Sequence, residues 1–372
     1  MQQYSVDFFK RDMSFAHNAS VDANSIDDDY ISSSLNAVEI PSTLLVENGQ
    51  FIRLRNDDYS FFGVVTEVSP GEYTTKVGFK SFLTIFDEDV LLDTNWQGTD
   101  SPSSRPTLET VIYNFLNNTY VTTSDTYQRL PISVSIDPTI TQTVKWSFGI
   151  RPDRESTQDE RERLHYSVVN LYSDVIVRAL KEYGVAIDVQ PVFHDRTIQL
   201  TITKRTVPFD ISADLDNVIV KTLKYSDKNI GTNKLIVYNA ENFSQNLIFY
   251  VHTDRSWNTE NRDRITPVVR AIKTTSPKDD SANGFAEAAT ETAYSELASS
   301  SWDNCIELET FVDDPNVTPM ELYIGQTVIV HYKEGRYSSI LTGRILDGNK
   351  ITLIFGSDRI KYTKRFKLNG GK

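Results

Sequence analysis

Two stretches of the chain read alike. Near the start stands Gly49-Gln50, then FIRLRNDD, Tyr59-Ser60, FF and Gly63-Val64-Val65; near the end stands Gly325-Gln326, then TVIVHYKEGR, Tyr337-Ser338, SILT and Gly343-Arg344-Ile345. Each copy runs strand, polar turn, Tyr-Ser, and a strand containing glycine. Each then adds a further turn and strand, Gly71-Glu72-Tyr73 to Val77-Gly78-Phe79 in one and Gly348-Asn349-Lys350 to Ile354-Phe355-Gly356 in the other. Hairpins with Gly-containing turns often resemble one another. Here, however, Gly-Gln and Tyr-Ser recur in the same order at nearly the same spacing. We read the two ends as related small β-barrels. Gly49, Gln50, Tyr59, Gly63, Gly325, Gln326, Tyr337 and Gly343 are the candidate barrel-repeat and interface positions.

Outward from these stretches, the chain is mainly β with an α+β insertion: two small barrels, an α/β domain and a short helix. Residues 1–95 carry apolar runs at a spacing near ten (Val38–Val46, Phe51–Leu54, Phe61–Val68, Thr74–Phe79, Phe82–Phe86) with polar turns between them, the pattern of a barrel or sandwich. The acidic stretch Asp22–Asp29 is expected to be a loop. GTDSPSSRP within 96–106 reads as a linker. Thr107 is placed to cap a short helix with Leu108, Val111, Ile112, Phe115 and Leu116 on one face. Thr157 and Glu160 form a capping-box pattern opening a longer helix, with Leu164, Val168, Leu171, Tyr172, Val175, Ile176, Ala179 and Leu180 at helical spacing up to Gly184. Val185/Ile187/Val189 and Ile198/Leu200/Ile202 alternate as a hairpin about His194-Asp195-Arg196, so helix and hairpin form an α+β unit. NKLIVYN and NLIFYVHT are further strands, and an Ala/Glu-rich helix ends in SELASSSW. The expected division is 1–95 first barrel, 96–300 insertion and 301–372 second barrel, with Phe209–Tyr225 as a candidate source of further strands for the latter.

The chain has 372 residues, 39% of them hydrophobic, and a formal charge of −13 from 38 Lys and Arg against 51 Asp and Glu. That much apolar material builds cores, and the length suits two or three domains. A surface this acidic repels polyphosphate, which disfavours tight non-specific nucleic-acid binding but permits DNA to pass without adhering. A single cysteine, Cys305, excludes an intrachain disulfide and a cysteine-based zinc site. MQQYSVDFFKRD lacks the pattern of a signal peptide, and no apolar run approaches membrane-spanning length; the expectation is a soluble protein of a reducing compartment.

The five histidines (His17, His165, His194, His252, His331) form no HExxH, and there is no GxSxG, Walker loop or GxGxxG. Asp93-Thr94-Asn95 departs from an aspartic protease's Asp-Thr-Gly in its third residue and has no second copy. Glu307 and Glu309 line one face of a strand. DANSIDDD lacks the EF-hand's glycine and terminal glutamate, so a solvated loop outweighs a calcium site. Cys305 reads as a buried structural thiol and the four tryptophans as core or interface residues. No catalytic residue, metal or cofactor is expected. The run Arg359, Lys361, Lys364, Arg365, Lys367 and Lys372 is either an edge strand protected by charge or a strip that meets the acidic surface of a neighbouring subunit.

Two like barrels in one chain have a symmetry consequence: a closed trimer presents six of them. The order of N-terminal barrel, α/β insertion, Ala/Glu-rich helix ending in SEL, strand CIELETF, Pro319 and then Gly325, Val328 and Val330 resembles the hub proteins of bacteriophage tails, the baseplate hubs and Tal-type tail-tip proteins. That resemblance implies a virion protein made in the host cytoplasm and placed at the tail tip or baseplate as a homotrimer. Its implied partners are a distal tail protein hexamer, the tape measure protein and a receptor-binding protein, with DNA passing through the centre. With only KLNGGK after Phe366, it looks like a short form without a lytic domain. Rival readings are a peptidoglycan hydrolase with its site in 96–300 and a carbohydrate-binding adhesin.

Overall fold

The first strands follow the alternation of the sequence: β1 (Gln2–Phe9), β2 (Phe15–Ala23), β3 (Ser25–Asp29), β4 (Asn36–Pro41), β5 (Phe51–Arg55), β6 (Ser60–Pro70), β7 (Thr74–Ser81) and β8 (Asp89–Leu92). The computed structural model describes the chain apart from residues 1, 24, 33, 58, 93–106, 141–166, 225–231, 253–256, 265–267, 278–282, 298–301, 303 and 358–372. Six of these strands form one sheet in the order β2-β1-β5-β6-β7-β4. It curls until β2 and β4 approach without a ladder between them, a nearly closed barrel. Inward residues of β1, β5, β6 and β7 (Val6, Ile52, Leu54, Val65, Val77, Phe79) are fully buried.

α1 (Leu108–Leu116) buries Leu108, Val111, Ile112, Phe115 and Leu116, the stripe expected from its spacing. β9 (Ile132–Ile136) and β10 (Ser167–Asn170) follow, then a wide helical turn over Leu171–Ile176 that continues as α2 (Val177–Tyr183). The long helix expected from Thr157 is therefore shorter in its described part. Ser167–Asn170 is extended and pairs antiparallel with β8, and helical structure begins only at Leu171, where the Asn170 side chain accepts a bond from the Ser173 amide (2.9 Å). Asparagine caps the chain there, and a strand partner outweighs the helical spacing of Leu164 and Val168. Thr157, Glu160 and Leu164 lie outside the described residues. Gly184 ends α2 at φ +68°, a left-handed cap.

β11 (Val185–Val192) and the 16-residue β12 (Thr197–Ser212) form the expected hairpin, pairing Ile187 with Ile202 and Val189 with Leu200. β12 then runs on past the hairpin. Beyond it come β13 (Ile219–Lys224), then β14 (Lys234–Asn239), β15 (Asn246–Val251), β16 (Trp257–Asn258) and β17 (Arg270–Thr275), covered on one face by α3 (Gly284–Leu297). Last come β18 (Cys305–Phe311), β19 (Gln326–Tyr332), β20 (Gly335–Asp347) and β21 (Lys350–Phe355).

The second barrel is the path β12-β19-β20-β21-β18-β13. The end of β12 (Phe209–Ser212) and β13 supply two of its strands, and the segment containing β14–β17 and α3 is spliced between β13 and β18. β3 leaves the first barrel and pairs antiparallel with β20 of the second. The described residues of the acidic stretch are thus strand rather than loop, Asp22 and Ala23 in β2 and Ser25–Asp29 in β3. A continuous apolar cluster joins the barrels, holding Val6, Ile52 and Phe79 of one, Ile306, Leu353 and Phe355 of the other, and Ile26 of β3 between them.

Candidate assembly interface

Four strands of each barrel agree rung for rung. In the first, β5 pairs with β6 from Phe51↔Val64 to Arg55↔Ser60; in the second, β19 pairs with β20 from Thr327↔Ile340 to His331↔Arg336, every residue 276 further on. The same offset carries Val65↔Phe79 onto Leu341↔Phe355. It also carries the register shift that follows, before Glu67↔Gly78 and Gly343↔Ile354. A bulge at the same place in both ladders kinks both strands alike. The flanking strands agree too: Asn36↔Phe79 through Pro41↔Thr74 matches Ile306↔Phe355 through Phe311↔Lys350. One strand differs. β1 runs antiparallel to β5, whereas β12 runs parallel to β19.

Gly49 and Gly325 are true counterparts. Both hold positive φ (+85° and +81°), and each amide reaches the counterpart carbonyl on the next strand, Gly49 to Val65 (2.8 Å) and Gly325 to Leu341 (2.9 Å). Left-handed backbone at the start of a strand selects glycine, which explains the recurring Gly-Gln. Gln50 and Gln326 follow in register, and the Gln326 side chain donates to the Val207 carbonyl (2.6 Å).

The other repeated pairs fall out of register. The offset that aligns the ladders places Gly335, not Tyr337, opposite Tyr59, and matches Tyr337 to Phe61. It matches Gly63 to Ser339 and Gly343 to Glu67. Gly63 and Gly343 are glycines for separate reasons. A Cβ on Gly63 would meet the Lys80 carbonyl oxygen at 2.2 Å, and one on Gly343 would meet Asp29 Cα at 3.0 Å, where β3 crosses.

Tyr59 reaches out of its own sheet. Its hydroxyl donates to Asp28 Oδ2 (2.9 Å) on β3, and Asp28 pairs in register with Arg344 of β20. Burial pushes the Asp28 carboxyl above its ordinary range, with the Arg344 guanidinium pulling the other way; burial likewise raises the Tyr59 phenol. Arg344 is buried, and its Nη2 donates to the Leu322 carbonyl (2.7 Å). The neighbouring acids are also engaged. Asp29 accepts from the Ile31 amide (2.9 Å) and the Ser32 hydroxyl (2.5 Å), and Asn36 both donates to the Asp27 carbonyl and accepts from its amide. The backbone of Ser25–Asp29 fastens β3 to β20, while Asp27, Asp28 and Asp29 bond to Asn36, Tyr59, Ile31 and Ser32 on their own side. Sequence reasoning missed Ile26, Asp28 and Arg344, although three consecutive acids beside an apolar residue that repeats none of the turn residues was the available signal.

A second tie links the α+β unit. Arg205 pairs with Asp188 and donates to the Ile324 carbonyl (2.8 Å), while Tyr30 accepts from the Ile187 amide (3.0 Å). Glu307 accepts from Thr222 (3.0 Å) and Glu309 is paired with Lys221 and Lys350 (3.1 Å), so both acids of that strand face serve the second barrel. Hydrogen bonding from Lys221, then Lys350, holds the Glu309 carboxyl below its usual value. Cys305 is buried at the head of β18. His331 meets Asp210 (2.6 Å), and His252 is held between the Arg262 carbonyl (2.7 Å) and Asn258 (3.0 Å). Trp257 packs edge-on against Phe249 and Trp302 lies against the core of the α+β unit. Asp93-Thr94-Asn95, Trp96, Trp146, His165 and the basic run Arg359, Lys361, Lys364, Arg365, Lys367 lie outside the described residues.

No protein-family model matches this chain, and no curated protein matches its sequence. Solved structures do match. The 43 kDa tail protein of prophage MuSo2 from Shewanella oneidensis is 13% identical, covering 96% of this chain and 98% of its own, with a TM-score of 0.45. Prophage tail protein gp18 from Listeria monocytogenes EGD-e is 10% identical over 98% of both chains, with a TM-score of 0.46. A chain of the p2 virion baseplate in its activated conformation is 13% identical over 97% of this chain and 100% of that one, with a TM-score of 0.44. The chain is thus similar, along almost its full length, to tail and baseplate proteins of phages and prophages.

Proposed function

We propose that this chain is the structural hub of a phage tail tip. Three copies form a ring of six barrels that adapts a sixfold tail tube to a threefold tip, closes the channel and opens for DNA ejection. The observation that carries this reading is the register identity of the two barrels: a rotation that superposes them lets three chains stand where six subunits would. On one side the ring docks on a hexamer of distal tail protein. The tape measure protein ends against it, and a receptor-binding protein is attached further out. The net charge of −13 suits a lumen that DNA traverses without specific binding. The work lies in interfaces and in their alternative packings, not in a catalytic group.

Light scattering on the purified chain tests the assembly. The mass should be three times that of a 42.3 kDa chain, and negative-stain images should show rings of threefold or pseudo-sixfold outline. A monomer at micromolar concentration that forms no ring with a distal tail protein overturns the reading.

A further inference from the structure

The sheet of β14–β17 is covered on one face and bare on the other. Leu235, Val237, Phe249 and Val251 are buried under α3, against its Phe285, Ala289, Ala293 and Leu297. The alternate residues stand on the opposite face, where strand pairing lines them up in three rungs. Tyr250, Lys234 and Arg270 form one, Ile248, Ile236 and Ile272 the next, and Asn246, Tyr238 and Thr274 the last. None of the three isoleucines belongs to an apolar core: Ile236 and Ile248 are half-buried and Ile272 is 58% exposed. The first rung is cationic. The Arg264 guanidinium lies over the Tyr250 ring at 4.5 Å and the Lys234 ammonium at 5.8 Å, while Arg270 is exposed. No carboxylate among the described residues forms an ion pair with Lys234, Arg264 or Arg270. In a chain of net charge −13, this is a local reversal of sign beside an aliphatic strip.

The covered face shows how this sheet is closed. α3 lays Phe285, Ala289, Ala293 and Leu297, four residues apart, on the apolar side, and its Glu296 pairs with Lys273 of β17 (2.8 Å). The bare face repeats those terms, with aliphatic side chains in the middle and cations without carboxylate partners at one end. Three strands about 4.8 Å apart and three rungs about 7 Å apart make a patch roughly 15 Å on a side, which suits one helix about 10 Å wide. Helices on both faces of a sheet form a stable layered arrangement. We propose that this face is the docking surface for an amphipathic helix of another protein. The apolar stripe of that helix lies on Ile248, Ile236 and Ile272, and carboxylates at one end meet Lys234, Arg264 and Arg270. A second copy has no such helix to lend among the described residues, since α1, α2 and α3 bury their own stripes. A sugar or a base fits the face poorly. The exposed ring, Phe243, stands by Tyr238 (6.5 Å), two rungs from the cations, while Tyr250 is already engaged by Arg264 and Lys234. The proposal is independent of the threefold ring.

Fluorescence anisotropy on the full chain tests it. The probe is a fluorescein-labelled helical peptide with leucines four residues apart and glutamates in one terminal turn. A version with lysine in place of each glutamate and vesicles of anionic phosphatidylglycerol are the alternatives. The glutamate peptide should bind at least about tenfold more tightly than the lysine peptide, and Ile272→Asp should weaken it by about tenfold. Arg270→Glu should shift the preference towards the lysine peptide. Both variants should keep the wild-type circular dichroism, because both side chains stand in solvent. Equal binding of the two peptides, no binding of either, or binding unaffected by Ile272→Asp overturns the proposal. Binding to the vesicles in preference to the peptide overturns it in favour of a lipid surface. A self-association abolished by Ile272→Asp overturns it in favour of a second copy.

Discussion

Gly49 and Gly325 share a backbone conformation but not a neighbourhood, and this separates two costs. A Cβ on Gly49 meets nothing within 4 Å, whereas one on Gly325 lands 2.9 Å from Ala186 Cβ. Gly49→Ala should cost about 1–2 kcal/mol, the penalty of left-handed backbone for an L-residue. Gly325→Ala adds overpacking, about 1–3 kcal/mol more. Thermal unfolding midpoints of the two variants check the order, and equal losses would show that β19 yields to the added methyl. Arg344 supports a second expectation. The raised Asp28 carboxyl contributes most when neutral, below its unfolded value of about 3.9, and that contribution is lost as pH rises through the folded value. Arg344→Met removes the opposing cation and raises the carboxyl further. Its loss of stability should therefore be largest near neutral pH and smaller at about pH 4.5. Melting curves at both pH values decide: a loss independent of pH would mean that the arginine acts through packing alone.

At the level of elements, local signals were read and long-range ones were not. Gly-Gln was legible because a positive φ at a strand start leaves glycine no rival. Tyr-Ser misled, since ladder register is set by which residues face the core, and Tyr59 and Tyr337 stand at different rungs. The β3 strand was hidden because Asp27, Asp28 and Asp29 read as solvated, and only a partner strand near the other end of the chain makes them a ladder. The helix start at Leu171 was lost for a similar reason: the competitor, β8, lies far off in sequence. The turn between β18 and β19 gives an element-scale test. Burial alone would raise the Asp314 carboxyl, but the Thr310 hydroxyl, the Asn316 (2.8 Å) and Val317 (3.2 Å) amides and Asn217 outweigh it and leave it lowered. A lowered carboxylate stabilises above its unfolded value and loses that contribution as pH falls through the folded one. Asp314→Asn should cost about 1.5–3 kcal/mol at neutral pH and flatten the acid limb below about pH 4, as acid unfolding followed by circular dichroism would show.

Across the whole molecule, the barrels are not beads on a string. One apolar cluster runs through both, and β3 is the only named strand that belongs by sequence to one barrel and by pairing to the other. Ile26 sits at its centre, fully buried and opposite Leu346. Two units that share a core unfold together, so calorimetry of the wild-type chain should give a single transition for the two barrels. Ile26→Asp places an unpaired carboxylate in that core, a loss of several kcal/mol concentrated at the junction. The barrels should then melt separately, with the first transition well below the wild-type midpoint. Ile26→Val, which removes one methyl group, should cost about 0.5–1.5 kcal/mol and keep the single transition. If β3 also fixes the angle between barrels, the same aspartate variant loses the geometry that lets three copies close, and light scattering should find a spread of masses in place of one. Two transitions in the wild type would mean that each barrel stabilises itself and that the angle between them is set elsewhere.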